Sequence, residues 1–76
     1  MDHSKHLALA DAAVCRAERL AGDAERAAYS NDPHIRPQAQ ALAAAGALWS
    51  DVARTHAAIA AVLPEDTQDA EEDARA

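Results

Sequence analysis

The most apolar stretch of the chain runs from residue 37 to residue 63 and holds only two charged side chains, Asp51 and Arg54. Arranged as a helix with about 100° per residue, it has a bulky stripe that consists of Leu42, Ala45, Trp49, Val52, His56, Ile59 and Leu63. It also has a small-residue stripe that consists of Ala39, Ala43, Gly46, Ser50, Ala53, Ala57 and Ala61. A helix with two such stripes needs more than one neighbour. The pattern therefore predicts a helix that contacts two different surfaces.

A second helical pattern occupies residues 4–29. Its apolar face consists of Leu9, Ala10, Ala13, Val14, Ala17, Leu20, Ala21, Ala24 and Ala28, with Leu7 at the edge. The charged residues of this stretch all fall on the opposite face. This separation is typical of an amphipathic helix that packs against one neighbour. Ser4 is a candidate for the residue that caps its amino terminus.

The segment between these patterns, residues 30–36, is rich in turn-forming residues. Proline disfavours helical backbone in the residue before it, and Pro37 suits the first helical position because its missing N–H is not needed there. In the alternative placement, Asp32 caps a helix that starts at Pro33, and Pro37 then disrupts the second turn. We prefer the placement that starts the second helix at Pro37.

These elements predict an all-α fold, an antiparallel two-helix hairpin over residues 1–63 with helices at 4–29 and 37–63. Residues 64–76 follow Pro64 and contain six acidic residues and one arginine, a net charge of −5. The hairpin itself has seven acidic and six basic residues, a net charge of −1. Polar, acidic composition without an apolar period predicts a disordered tail.

The hydrophobic content of the hairpin is mostly alanine. Half of the 76 residues are hydrophobic and 23 of them are alanine, beside six leucines, three valines, two isoleucines and one tryptophan. A large apolar side chain contributes roughly 1.5–3 kcal/mol when fully buried, whereas ordering a residue costs on the order of 1.5 kcal/mol. We therefore predict that the hairpin dimerises into a four-helix bundle or binds another protein.

The composition of the chain disfavours several classes of function. The net charge of −6 opposes binding to nucleic acid. A single cysteine, no leader pattern and no long apolar run favour a cytoplasmic protein without a membrane partner. The excess of arginine and alanine is typical of a high-GC bacterial genome. No phosphate-binding loop, metal-protease motif or nucleophile motif is present, so we expect neither an enzyme nor a cofactor.

Three features carry candidate chemistry. His56 stands in the bulky stripe, where it is either a hydrogen-bonded core histidine or a polar residue that fixes pairing and responds to pH. A free amino terminus at Met1-Asp2-His3 can bind Cu²⁺ or Ni²⁺ in square-planar geometry, with His6 one turn away. Cys15 lies on the polar face of the first helix, without a neighbour that would activate it.

A helical hairpin with a central tryptophan resembles the secreted WXG-type proteins of actinobacteria. Trp49-Ser50-Asp51 lacks the glycine of that motif and lies inside a predicted helix, so the sequence is assigned to no family. We predict a small protein–protein interaction module whose contact residues are Leu42, Ala43, Gly46, Trp49, Ser50, Val52, His56 and Ile59. The alternatives are a Cu/Ni-binding protein that uses His3 and His6, and a regulator whose acidic tail engages a basic partner.

Overall fold

A computed structural model describes residues 2–65, which form two helices, α1 (His3–Ala28) and α2 (Gln38–Val62). Contacts join the start of α1 to the end of α2, and the middle of one helix to the middle of the other. The helices are therefore antiparallel, and no strand occurs in this part of the chain. The prediction of an all-α helical hairpin is confirmed. The predicted acidic tail falls almost entirely on residues 66–76, outside the described residues.

The amino terminus of α1 is capped by Asp2 and not by Ser4. The backbone of Asp2 is extended, with φ −94° and ψ 178°, and its carboxylate accepts a hydrogen bond from the Lys5 N–H at 2.9 Å. Aspartate is favoured at this position because it satisfies an N–H that has no partner within the helix and because its charge complements the helix dipole. The prediction that Ser4 caps the helix was wrong: the cap lies two residues earlier, and Ser4 is inside the first turn.

The bend combines both placements considered for the second helix. The carbonyl of Asp32 accepts from the N–H groups of Ile35 and Arg36, each at 3.1 Å, and its carboxylate accepts from the His34 N–H at 2.8 Å. These bonds form a turn that continues into the second helix, because the Gln38 N–H donates to the Ile35 carbonyl at 2.9 Å and the Ala39 N–H to the Arg36 carbonyl at 3.1 Å. Pro37 then adopts helical angles (φ −64°, ψ −17°) and caps α2, which begins at the next residue. Proline is tolerated there because its missing N–H falls where no helical bond is made.

The contact between the helices, called the seam below, follows alternating spacings of three and four residues, as in a coiled coil. On α1 it consists of His3, His6, Ala10, Ala13, Ala17, Leu20, Ala24 and Ala27. On α2 it consists of Ala39, Leu42, Gly46, Trp49, Ala53, His56, Ala60 and Leu63. All of these residues are buried or half-buried. Along α2 the seam residues therefore come alternately from the small-residue stripe and the bulky stripe, except for Ala60, which belongs to neither. Neither predicted stripe faces α1 along its whole length.

The seam is packed by small residues. Its buried apolar side chains are Ala10, Ala13, Ala27, Ala53 and Ala60, and no large side chain among residues 2–65 is fully buried. A Cβ atom added to Gly46 would lie 3.5 Å from the Leu20 Cβ and 3.6 Å from the Ala17 carbonyl oxygen. Position 46 therefore has room for a methyl group at ordinary contact distances from α1.

We expect Gly46→Ala to raise the free energy of unfolding by up to about 1 kcal/mol, because alanine favours the helix over glycine by that amount and its Cβ meets ordinary contact distances. The measurement is urea denaturation followed by circular dichroism. Gly22→Ala is the matched control, since a Cβ there meets only the Arg26 guanidinium, at 3.6 Å. A clear loss of stability in Gly46→Ala beside a gain in Gly22→Ala would contradict the spacing described for the seam.

Candidate functional site

The seam leaves a strip of surface on each of its two sides, and the strips differ in side-chain size. One strip, called the bulky flank, forms a shallow groove lined by Leu9, Ala12, Ala13, Arg16, Trp49, Val52 and His56. Ile59 continues it one helical repeat beyond Val52. The opposite strip, called the small flank, is lined by Val14, Ala17, Glu18, Ala21, Ser50, Ala53 and Arg54. Both helices contribute to each flank, so neither surface exists in an isolated helix.

The eight predicted contact residues are divided between these surfaces. Four lie in the seam, where all are buried or half-buried, and they are Leu42, Gly46, Trp49 and His56. Val52 and Ile59 lie on the bulky flank and are 38% and 36% exposed. Ser50 lines the small flank, and Ala43 is exposed. The structure therefore brings together Trp49, Val52, His56 and Ile59, and it separates them from Ala43 and Ser50.

Trp49 lies where the seam meets the bulky flank and is covered from α1. The guanidinium carbon of Arg16 stands 4.7 Å from the centroid of the indole ring. A cation over the face of tryptophan contributes about 0.5–1 kcal/mol at an exposed site. The sequence pattern places Arg16 only on the charged face of α1, because it does not show which residue of one helix lies opposite which residue of the other.

A pair of histidines joins the helices near the open end of the hairpin. The Nδ1 atoms of His6 and His56 are 2.9 Å apart, and their ring centroids are 5.1 Å apart at an interplanar angle of 37°. One Nδ1 must carry a proton and donate while the other accepts. One turn towards the amino terminus, the His3 Nδ1 donates to the Ala60 carbonyl at 2.8 Å. Every buried polar side-chain atom within residues 2–65 has a partner.

The position of His6 was not predicted from the sequence. His6 is the buried polar residue of the described chain, only 9% exposed, whereas the sequence placed it beside His3 in an amino-terminal metal site. Its spacing of four and seven residues from Ala10 and Ala13 follows the seam and was the available signal. The partner could not be read from spacing, because His56 is 50 residues away in sequence.

The remaining candidate positions are simple surface features. Cys15 is a free, exposed thiol. The pairs Arg26–Asp23 and Arg54–Asp51 are exposed and three residues apart, so they contribute little to stability. Among residues 2–65, no group of three or more histidine, cysteine, aspartate or glutamate side chains is arranged to hold a metal ion. Met1, which the predicted Cu/Ni site requires, lies outside the described residues.

Comparison with protein-family models, with curated proteins and with solved structures finds no match to this chain. The features of the chain that bear on its function are the two flanks, Trp49 and the histidine pair. Neither α1 nor α2 has an apolar stretch long enough to cross a bilayer. On the bulky flank, apolar side chains of both helices lie together and are partly exposed.

Proposed function

We propose that the chain is a non-enzymatic protein–protein interaction module that pairs with a second copy of itself through the bulky flank, forming a four-helix bundle. The observation that supports this proposal is the distribution of apolar side chains. The seam buries mostly alanines, while Leu9, Val52 and Ile59 remain about two-fifths exposed on one surface. Contiguous exposed apolar side chains on a small protein mark a contact surface.

The energy available at this surface is appreciable for a small hairpin. Full burial of a large aliphatic side chain contributes roughly 1.5–3 kcal/mol, so covering the exposed part of each of these three residues contributes about 1 kcal/mol. Trp49 adds the indole edge, and tryptophan is frequent among residues that dominate binding energy. A seam built from alanine methyl groups gains less per residue, so association and folding are expected to depend on each other.

A second copy fits this surface because the flank is apolar on both helices and nearly free of charge. Arg16 is the one charged residue of this groove and its guanidinium is already placed over Trp49, while Arg19 lines the adjoining groove with Leu20 and Trp49. Residues 1–63 carry a net charge of only −1, so two hairpins repel each other weakly. A twofold axis through the flank places the same patch against itself, which closes the assembly at a dimer.

The test compares one substitution on the two flanks. Val52 and Val14 are similarly exposed, at 38% and 42%, and lie on the bulky flank and the small flank. We expect sedimentation equilibrium of the wild type to give twice the chain mass of 8.0 kDa. Val52→Glu is expected to give the monomer mass, because the carboxylate would lose its hydration at the contact while the guanidinium of Arg16 is already placed over Trp49.

Val14→Glu is the matched control and is expected to remain dimeric. The proposal is wrong if the wild type sediments as a stable monomer. It is also wrong if Val14→Glu dissociates the dimer while Val52→Glu leaves it intact, because the small flank would then be the contact. A spin label on Cys15, the single cysteine, supplies an independent interchain distance.

A further inference from the structure

We propose that His6 and His56 together bind one divalent late first-row transition-metal ion, such as Zn²⁺ or Cu²⁺, between their Nδ1 atoms. This site differs from the amino-terminal motif considered from the sequence, because its ligands come from two helices and do not include the amino group. Both ligands belong to one hairpin, and His56 also lines the bulky flank, so the ion would lie beside the proposed dimer contact.

The separation of the two nitrogens already equals that of two ligands on one metal. Metal–imidazole bonds of about 2.0–2.1 Å place two ligand nitrogens about 2.9 Å apart at a right angle, and about 3.4 Å apart at a tetrahedral angle. The observed separation of the two Nδ1 atoms is 2.9 Å. The ring centroids lie 5.1 Å apart, so the two rings are nearly in line with the Nδ1–Nδ1 axis. Each ring must therefore turn by about 35–45° to direct its lone pair at a shared ion.

The protonation change is a tautomer exchange. In the hydrogen-bonded pair one neutral imidazole carries its proton on Nδ1, and both lone pairs are needed to bind the ion. The donor ring moves this proton to Nε2, so each Nδ1 presents a lone pair and no net proton is released. Imidazole nitrogen suits zinc, copper and nickel. The remaining coordination positions belong to water, since the described residues supply no third side-chain ligand.

A metal bound here acts as a cross-link at the open end of the hairpin. It ties the first two turns of α1 to the last two turns of α2, across 50 residues of sequence. The next turn is already held by the bond from His3 to the Ala60 carbonyl. Because a ligand that binds only the folded state stabilises it by mass action, the ion is expected to raise the melting temperature of the hairpin.

The experiment titrates Zn²⁺ into the full ¹⁵N-labelled chain and follows the imidazole nitrogens of all four histidines by NMR. We expect the Nδ1 resonances of His6 and His56 to move together, saturating at one ion per chain, while those of His34 in the bend stay unchanged. Zn²⁺ is used because the amino-terminal motif favours ions with square-planar geometry. A parallel thermal melt should rise with Zn²⁺ and return after chelation.

Substitutions separate this site from the others. His56→Gln is expected to weaken Zn²⁺ binding at least about tenfold, whereas the matched His34→Gln and the His3→Gln variants keep the wild-type affinity. Unchanged resonances of His6 and His56 after several equivalents of Zn²⁺ overturn the proposal, as does full retention of affinity in His56→Gln. Binding confined to His3 and abolished by amino-terminal acetylation also overturns it. If His56→Gln does not fold, the wild-type resonances decide.

Discussion

Replacing Ala13 with leucine is expected to cause one of the largest losses of stability in this chain. Ala13 is 2% exposed and lies in the seam, one turn before Ala17, whose carbonyl oxygen is 3.6 Å from a Cβ built on Gly46. Leucine adds volume that the facing backbone cannot accommodate without moving the helices apart. Overpacking of a well-packed interior costs typically 1–3 kcal/mol and occasionally more, which is a large share of the stability of a small hairpin.

Urea denaturation followed by circular dichroism measures this effect. Ala8→Leu is the matched control, because Ala8 is exposed on the same helix and leucine has nearly the helix propensity of alanine. The control is expected to differ from the wild type by less than about 0.5 kcal/mol. If Ala13→Leu matches the control, the helices are not as close as the structure describes and the alanine seam is not the core.

Trp49→Ala is expected to weaken folding and association together. The indole is the largest side chain at the seam, half-buried and covered by Arg16. Truncation of a core tryptophan costs about 3–5 kcal/mol, and partial exposure lowers the expected loss to roughly 2–3 kcal/mol. Because the indole edge also lines the bulky flank, its removal takes apolar area from the proposed dimer contact.

Denaturation and sedimentation on the same samples test this coupling. Leu48→Ala provides a control on α2, since Leu48 is largely exposed and lies outside the lining of both grooves. Arg16→Gln isolates the cation–π contact, for which about 0.5–1 kcal/mol is expected. If both the wild type and Trp49→Ala are stable monomers, the role of Trp49 in association is contradicted. Trp49 would then act only in packing within one hairpin.

The elements of the fold could be predicted because their signals are local. The charged residues of α1 all fall on one face, and Pro37 and Pro64 delimit the second helix. Proline acts through its own ring and its missing N–H, so its effect does not depend on distant residues. The cap of α1 was misplaced because Asp2 and Ser4 are both good caps, and their choice depends on where the first turn closes.

The surfaces of α2 that face α1 and solvent were harder to predict, because the many alanines make the apolar period of the helix less distinct. Alanine fits both a buried and an exposed position, so the apolar arc of α2 is wider than the surface that α1 covers. Two stripes could be drawn, yet the seam takes Trp49 from one and Gly46 from the other. The choice depends on close packing of both helices, since backbones can approach only where small side chains of α1 face small side chains of α2.

By itself, the sequence determined two helices, the bend between them and an excess of apolar side chains on the second helix. Only the tertiary structure decided which arc of α2 faces α1, and hence that Val52 and Ile59 remain on an outer flank. It also decided the pairing of His6 with His56 and of Arg16 with Trp49. Periodicity fixes angles around one helix, whereas these contacts depend on the axial register between two helices, which is set by packing along the whole seam.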